Sequence, residues 1–193
     1  MNKSDVIAFF NRCAPSWDAE MIRSDRIIGE ILDRGGIRPG ANVLDVACGT
    51  GVLFPDYFAR NVDSLTAIDI SPERVRIARE KVPDVNVLCG DAETADFGRK
   101  FDAVMIYNAF PHFPDPDALF AALTRWLVPG GRLTVAHGMS RAAIDRHHSG
   151  SASRMSCGLL HEDALAELMK PYLDVDVKIS DEEKYIVSGT LKA

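Results

Sequence analysis

Apolar residues recur along this chain with two periods, and the two periods take turns. Before about residue 40 the spacing is helical. Val6, Ile7, Phe9, Phe10 and Cys13 share one face up to Pro15, and Ile22, Ile27, Ile28, Ile31 and Leu32 mark a second helix over about 19–34 that stops at Gly35-Gly36. Short apolar runs follow, each bounded by turn residues: 42–47, 65–70, 85–89, 101–107 and 132–137. Helical patterns separate them. One follows the glycines at 49–51 and runs to about Arg60. Another starts at Ser71-Pro72-Glu73, a cap, a proline at the first helical position and an acid in the first turn. A third runs from about Asp117 to Leu127, after which Pro129-Gly130-Gly131 reads as a tight turn. A last helix over 162–170 precedes two strands near 172–179 and 184–191, close enough in sequence to pair antiparallel. Strands alternating with helices predict an α/β fold built on a mostly parallel sheet.

Composition narrows the class. The 193 residues, 47% of them hydrophobic, suffice for a packed core in a single domain, 1–193. A formal net charge of −6 argues against nucleic acid as the main partner, because phosphate contacts need a basic face. No apolar run has the length of a membrane span, and the opening Met1-Asn2-Lys3-Ser4-Asp5 has no apolar signal region. The four cysteines form no C-x-x-C pair, so free thiols in a reducing cytoplasm are expected.

The chemistry gathers at strand ends. After the first strand comes Asp45-Val46-Ala47-Cys48-Gly49-Thr50-Gly51, where glycines allow tight backbone angles and close approach of a ligand, with a helix N-terminus beyond. A dinucleotide fingerprint would place a third glycine where Phe54 stands, and a pyrophosphate gains nothing from Asp45. A ligand with an amino group and a sulfonium charge does. Asp69, ending the second strand, suits the two hydroxyls of a ribose. Asp91, in Gly90-Asp91-Ala92 after the third strand, suits an adenine amino group. All three lie on one edge of the sheet, the binding edge of open α/β folds.

In order and spacing these segments resemble the class I S-adenosylmethionine-dependent methyltransferases. Val43–Gly51 resembles their first motif, Asp69-Ile70-Ser71 the second and Gly90-Asp91-Ala92-Glu93 the third. Phe101-Asp102-Ala103-Val104 and Leu127–Leu133 resemble the fourth strand and the turn before the fifth, so the likeness spans roughly residues 40–135. Phe10–Asp18 is similar to the opening of the ubiquinone/menaquinone-biosynthesis type, with Trp17 where tyrosine is usual. The resemblance implies a Rossmann-like seven-stranded sheet in the order 3-2-1-4-5-7-6, strand 7 antiparallel, with helices on both faces and an N-terminal helical lid (1–38) on the core (39–193). It implies S-adenosylmethionine as cofactor, S-adenosylhomocysteine as product, and a small-molecule acceptor. Asp45 and Gly49 would face the cofactor's methionine end, Asp69 the ribose, Ile70, Asp91 and Ala92 the adenine, with Ala47 and Gly51 also in the cofactor site. Asn108 would lie near the transferred methyl, and Trp17 would close over the cofactor. A monomer or homodimer is expected.

The acceptor side is less defined. His112, in the loop after the fourth strand, is a candidate base or a packing residue. His137 and the pair His147-His148 are candidates for contact with the acceptor, or, more plainly, polar side chains that face solvent. No H-x₃-H or C-x-x-C spacing occurs, and no metal is expected. Phe9, Phe10 and Trp17 are equally consistent with an aromatic lid and with core, and Cys48 reads as a small buried filler. The segment 138–158, rich in Gly, Ser, His and Arg, is expected to border the acceptor. Two other functions fit parts of the pattern: an NAD-linked Rossmann oxidoreductase, and a non-catalytic protein that binds S-adenosylmethionine.

Overall fold

The computed structural model describes residues 2–148 and 156–192. Three helices come first: α1 (Lys3–Cys13), α2 (Trp17–Glu20) and α3 (Asp25–Arg34). The strands are β1 (Asn42–Val46), β2 (Ser64–Asp69), β3 (Asn86–Cys89), β4 (Phe101–Tyr107), β5 (Leu127–His137), β6 (Leu173–Ser180) and β7 (Tyr185–Leu191). Between them lie α4 (Phe54–Ala59), α5 (Pro72–Lys81), α6 (Pro116–Thr124), α7 (Arg141–His148) and α8 (Glu162–Met169). The sheet order is β3-β2-β1-β4-β5-β7-β6, as expected. β1 through β5 pair in parallel, and β7 runs antiparallel to both β5 and β6.

The period of two along each strand sorts the core into two layers. Leu44, Val46, Val104, Ile106, Leu133 and Val135 point to the face covered by α6 and α8, through Leu119, Phe120, Leu123, Leu165 and Met169. Val43, Ala67, Ala103, Met105 and Ala136 point to the opposite face. There α3 brings Ile27, Ile28, Ile31 and Leu32, and α5 brings Val75 and Ala78. Fully burying one such Leu or Ile contributes about 1.5–3 kcal/mol.

Three boundaries differ from the sequence reading. The expected helix over 19–34 is broken, because Met21 is extended and Ser24 starts a new helix by accepting from the Ile27 N–H at 3.5 Å. The helix after the glycine turn begins only at Phe54 and has six residues. The fifth strand begins at Leu127 rather than Arg132. Leu127 pairs with Phe101, then the chain bulges through Pro129-Gly130-Gly131, Gly130 at φ 74°, and resumes at Arg132 opposite Ala103.

Candidate active site

The carboxyl ends of β1–β4 open into one cleft of about 1100 Å³ including its open mouth. Trp17, Asp45, Ala47, Gly49, Asp69, Ile70, Asp91, Ala92, Asn108 and His112 all line it. So do Phe10 and Cys48, whereas Phe9 does not. Gly51 stands behind the turn. It sits at φ 81°, and a Cβ there would come within 2.6 Å of the Phe54 ring, so this glycine serves the turn's packing.

Backbone geometry fixes the acids. Asp45 is the last residue but one of β1, in the buried run Val43–Val46, and is only 2% exposed. Burial first, and then the charge of Asp69, push its carboxyl well above the ordinary carboxylate range, while the Tyr57 hydroxyl pulls the other way. Asp69, 4% exposed, accepts the Gly49 N–H on Oδ2 and the Ser71 N–H on Oδ1, both at 2.8 Å. Burial raises it too, opposed by Arg74 and those two amides. The helix N-terminus invoked from sequence therefore has a smaller part than expected. Residues 50–53 separate the cradle from α4, and the amide that meets Asp69 belongs to Gly49 itself. Each carboxylate oxygen has about two acceptor sites, so Asp69 keeps capacity for hydroxyl donors. Ala47, at φ 55°, adds strain to the same turn.

The N-terminal helices roof the cleft. Lys3 Nζ donates to Asp91 Oδ2 at 2.6 Å and to Glu93 Oε2 at 2.7 Å. Asp18 accepts from Thr50 Oγ1 at 2.5 Å and from Lys81 Nζ at 2.6 Å. The Ser71 hydroxyl donates to Asn11 Oδ1 at 2.7 Å. Phe10 meets His112 edge-on at 4.9 Å and Trp17 at 6.0 Å. Phe10 and Trp17 both line the cleft, and of the two only Phe10 is buried.

On the other side, Asn108 takes φ 52°, which asparagine tolerates, and its Oδ1 accepts the Gly138 N–H at 3.0 Å, tying the end of β4 to the end of β5. His137 ends β5 as expected, but it is buried 6.1 Å from the Tyr185 ring and does not line the cleft. The side chains of His147 and His148, and residues 149–155 of the segment 138–158, lie outside the described residues.

Sequence reasoning missed Lys3, Glu93, Tyr107 and above all Arg74. Arg74 was legible in helical phase: it follows the cap Ser71 by three positions and precedes buried Ala78 by four, so it shares the inward face of α5. Its guanidinium carbon lies 4.0 Å from the Phe10 ring centroid and 3.9 Å from that of Trp17.

The donor set can be tested against the cofactor the sequence implied. Two buried acids want hydrogen-bond donors or a cationic centre. The buried arginine, whose Nε and Nη2 make no hydrogen bond among the described residues, wants an acceptor. S-adenosylmethionine carries all of these groups, and the residues present fit it.

Known proteins place the fold. Residues 43–131 match the model of a methyltransferase domain. That span is a methyltransferase domain of the class I fold. The chain is 33% identical over 138 residues to a demethylmenaquinone methyltransferase of Renibacterium salmoninarum, covering 68% of this chain and 58% of the relative. It is 41% identical over 100 residues to a ubiquinone biosynthesis O-methyltransferase of Xanthomonas oryzae pv. oryzae, covering 49% and 41%. The chain thus spans about half the length of these curated relatives. The N-methyltransferase NodS of Bradyrhizobium japonicum WM9, solved with S-adenosyl-L-homocysteine, shares the fold at TM-score 0.74 and 14% identity, with both chains fully covered.

Proposed function

We propose that this chain transfers the methyl group of S-adenosylmethionine to a small-molecule acceptor. The observation that carries the reading is the convergence of Asp45, Asp69, Asp91 and the Gly49 turn on one lidded cleft. In this reading residues 1–38 are the lid and 39–193 the core of one domain.

When bound, S-adenosylmethionine supplies a methyl carbon already activated by its sulfonium. The chain's own part is alignment and exclusion of water. Asp69 accepts the ribose hydroxyls, and Asp91 with Ala92 borders the adenine, which Ile70 packs against. Asp45, Ala47 and Gly49 cradle the amino-acid end. Asn108, anchored through Gly138, shapes the wall near the methyl. Holding two reacting atoms about 3–3.5 Å apart in a dry site supplies most of the acceleration such a displacement needs. His112, on the cleft wall under Phe10, stands where it could take a proton from a hydroxyl or amine acceptor. The apolar walls from Phe10, Trp17, Phe113 and Pro114 suit a flat ring, in keeping with the quinone-pathway names of the relatives.

Titration calorimetry with S-adenosylmethionine and with NAD tests the cofactor. The expected result is binding of the first and not the second, and the reverse would restore the oxidoreductase reading. Formation of S-adenosylhomocysteine with a panel of phenols, hydroquinones and amines tests catalysis. Tight binding with no turnover across the panel would favour a non-catalytic binding protein.

A further inference from the structure

Arg74 is the unusual group in the cleft. It is 6% exposed, and its guanidinium sits in the corner formed by the Phe10 and Trp17 rings, whose planes stand at 80° to each other. Stacking on aromatic faces holds an arginine without using its N–H donors. Nε and Nη2 are buried and make no hydrogen bond among the described residues. Asp69 and Asp18 act on it through space, but neither is bonded to it: Asp69 is taken by backbone amides, and Asp18 by Thr50 and Lys81. Leaving donors of a buried cation unpaired is costly unless something pairs them.

Charge around the cleft points the same way. Its carboxylates are Asp45, Asp69, Asp91 and Glu93, and its cations are Lys3 and Arg74. Lys3 is engaged by Asp91 and Glu93. Arg74 is the cation left for an anion. A Cβ built on Gly49 would lie 3.7 Å from Arg74 Nη1, so the guanidinium reaches the glycine turn that, in the reading above, cradles the amino-acid end of the cofactor.

We propose that Arg74 is the carboxylate-binding residue of this cleft, held ready in the Phe10–Trp17 corner for a carboxylate delivered against the Gly49 turn. The inference rests on the proposed cofactor. A planar fork fits a carboxylate with two parallel bonds, which a lysine at the same place would not give. The arrangement makes the lid part of the recognition, since the rings that hold the fork come from the N-terminal segment. The carboxylate belongs either to the cofactor's amino-acid end or to the acceptor.

Calorimetry on the full chain separates these. S-adenosylhomocysteine is compared with its decarboxylated analogue, which keeps the amine and loses only the carboxylate. The parent should prefer the carboxylated ligand by at least about tenfold. In Arg74→Met, which can still pack against the two rings, that preference should vanish while affinity for the decarboxylated analogue stays within about threefold. This outcome assigns the carboxylate to the cofactor. If the preference survives but sodium benzoate no longer binds the S-adenosylhomocysteine-loaded variant as it binds the loaded parent, the carboxylate is the acceptor's. Arg74→Gln gives the same readings should the methionine variant fail to fold. Survival of the preference with no loss of benzoate binding overturns the proposal. So does an equal fall in affinity for both nucleosides, which marks Arg74 as a packing residue. A parent that binds neither nucleoside overturns the cofactor reading itself, a result distinct from either.

Discussion

At the ends of β1 and β2 the chain meets its site acids with its own backbone, whereas at the ends of β4 and β5 it relies on side chains. Asp69 is held by two amides, and Asp45 is sealed inside a strand. Across the cleft, Asn108 bridges to Gly138 through its amide, and His112 packs under Phe10. A backbone cradle is fixed by turn geometry and changes little from one side chain to the next. A wall of side chains and loops can be rebuilt for another acceptor without disturbing the cradle. The first half therefore suits the constant ligand and the second the variable one.

The sharpest way to break that comparison is Gly49→Val. Gly49 sits at φ 58°, a region closed to β-branched residues, and the added side chain would grow toward Arg74 Nη1. S-adenosylmethionine binding should fall by more than about a hundredfold, through a displaced cradle and a filled cleft. Parent-like affinity by calorimetry in a folded variant would place the cofactor elsewhere.

Next in size is Asp69→Ala. Binding should weaken by more than about tenfold through loss of charge-assisted hydrogen bonds to the ribose. The Gly49 and Ser71 amides also lose their partner inside the core, so stability in denaturant should drop by about 1–3 kcal/mol. Lost affinity with unchanged stability would show that solvent or ligand, rather than Asp69, serves those amides.

The cradle was legible because its chemistry is written in local sequence: Gly49 and Gly51 at a strand end, Asp69 before the Ser71-Pro72 cap, Gly90-Asp91 after β3. The sheet order needed the family resemblance, since alternation alone does not say which strands are neighbours. Arg74 escaped because a charged residue in a surface-type helix is read outward by default, and only its phase with Ser71 and Ala78 says otherwise. The ion pairs of the N-terminal helices escaped because they join residues as distant as Lys3 and Asp91, contacts no periodicity reports. His137 was placed by strand position, but the pleat turns its ring toward Tyr185 and into the core.

Titration distinguishes the halves next. Asp45 is raised mainly by burial and secondly by Asp69, and Asp69 is raised by burial. Both bind protons more tightly folded than unfolded. The stability this gives is fully present below the ordinary carboxylate range and is lost as pH rises through the raised folded values. Asp45→Asn removes that loss. The ligand-free variant should melt at a higher temperature than the parent at about pH 8, with the gap shrinking toward about pH 4. A gap independent of pH would mean that the Asp45 charge is not the cause. Cofactor affinity should fall in the same variant, because the acid is kept for a cationic ligand.

The smallest effects come from two residues that share one backbone conformation. Ala47, after β1, has φ 55°, and Asn108, after β4, has φ 52°. Left-handed geometry costs an ordinary L-residue about 1–2 kcal/mol, and asparagine less, because its side chain can bond locally. Asn108 does so through Gly138, whereas Ala47 has no polar side chain to compensate. Replacing each with glycine should then have opposite signs. Ala47→Gly relieves the strain, loses a small packed methyl and costs about 0.5–1 kcal/mol in chain entropy, for a net gain of about 0.5 kcal/mol. Asn108→Gly gives up the bond that ties β4 to β5 and should lose about 1 kcal/mol. Denaturant unfolding of the two variants measures both. If Ala47→Gly destabilises by as much as Asn108→Gly, the cofactor turn holds no strain, and the contrast between its backbone cradle and the side-chain wall opposite loses its energetic basis.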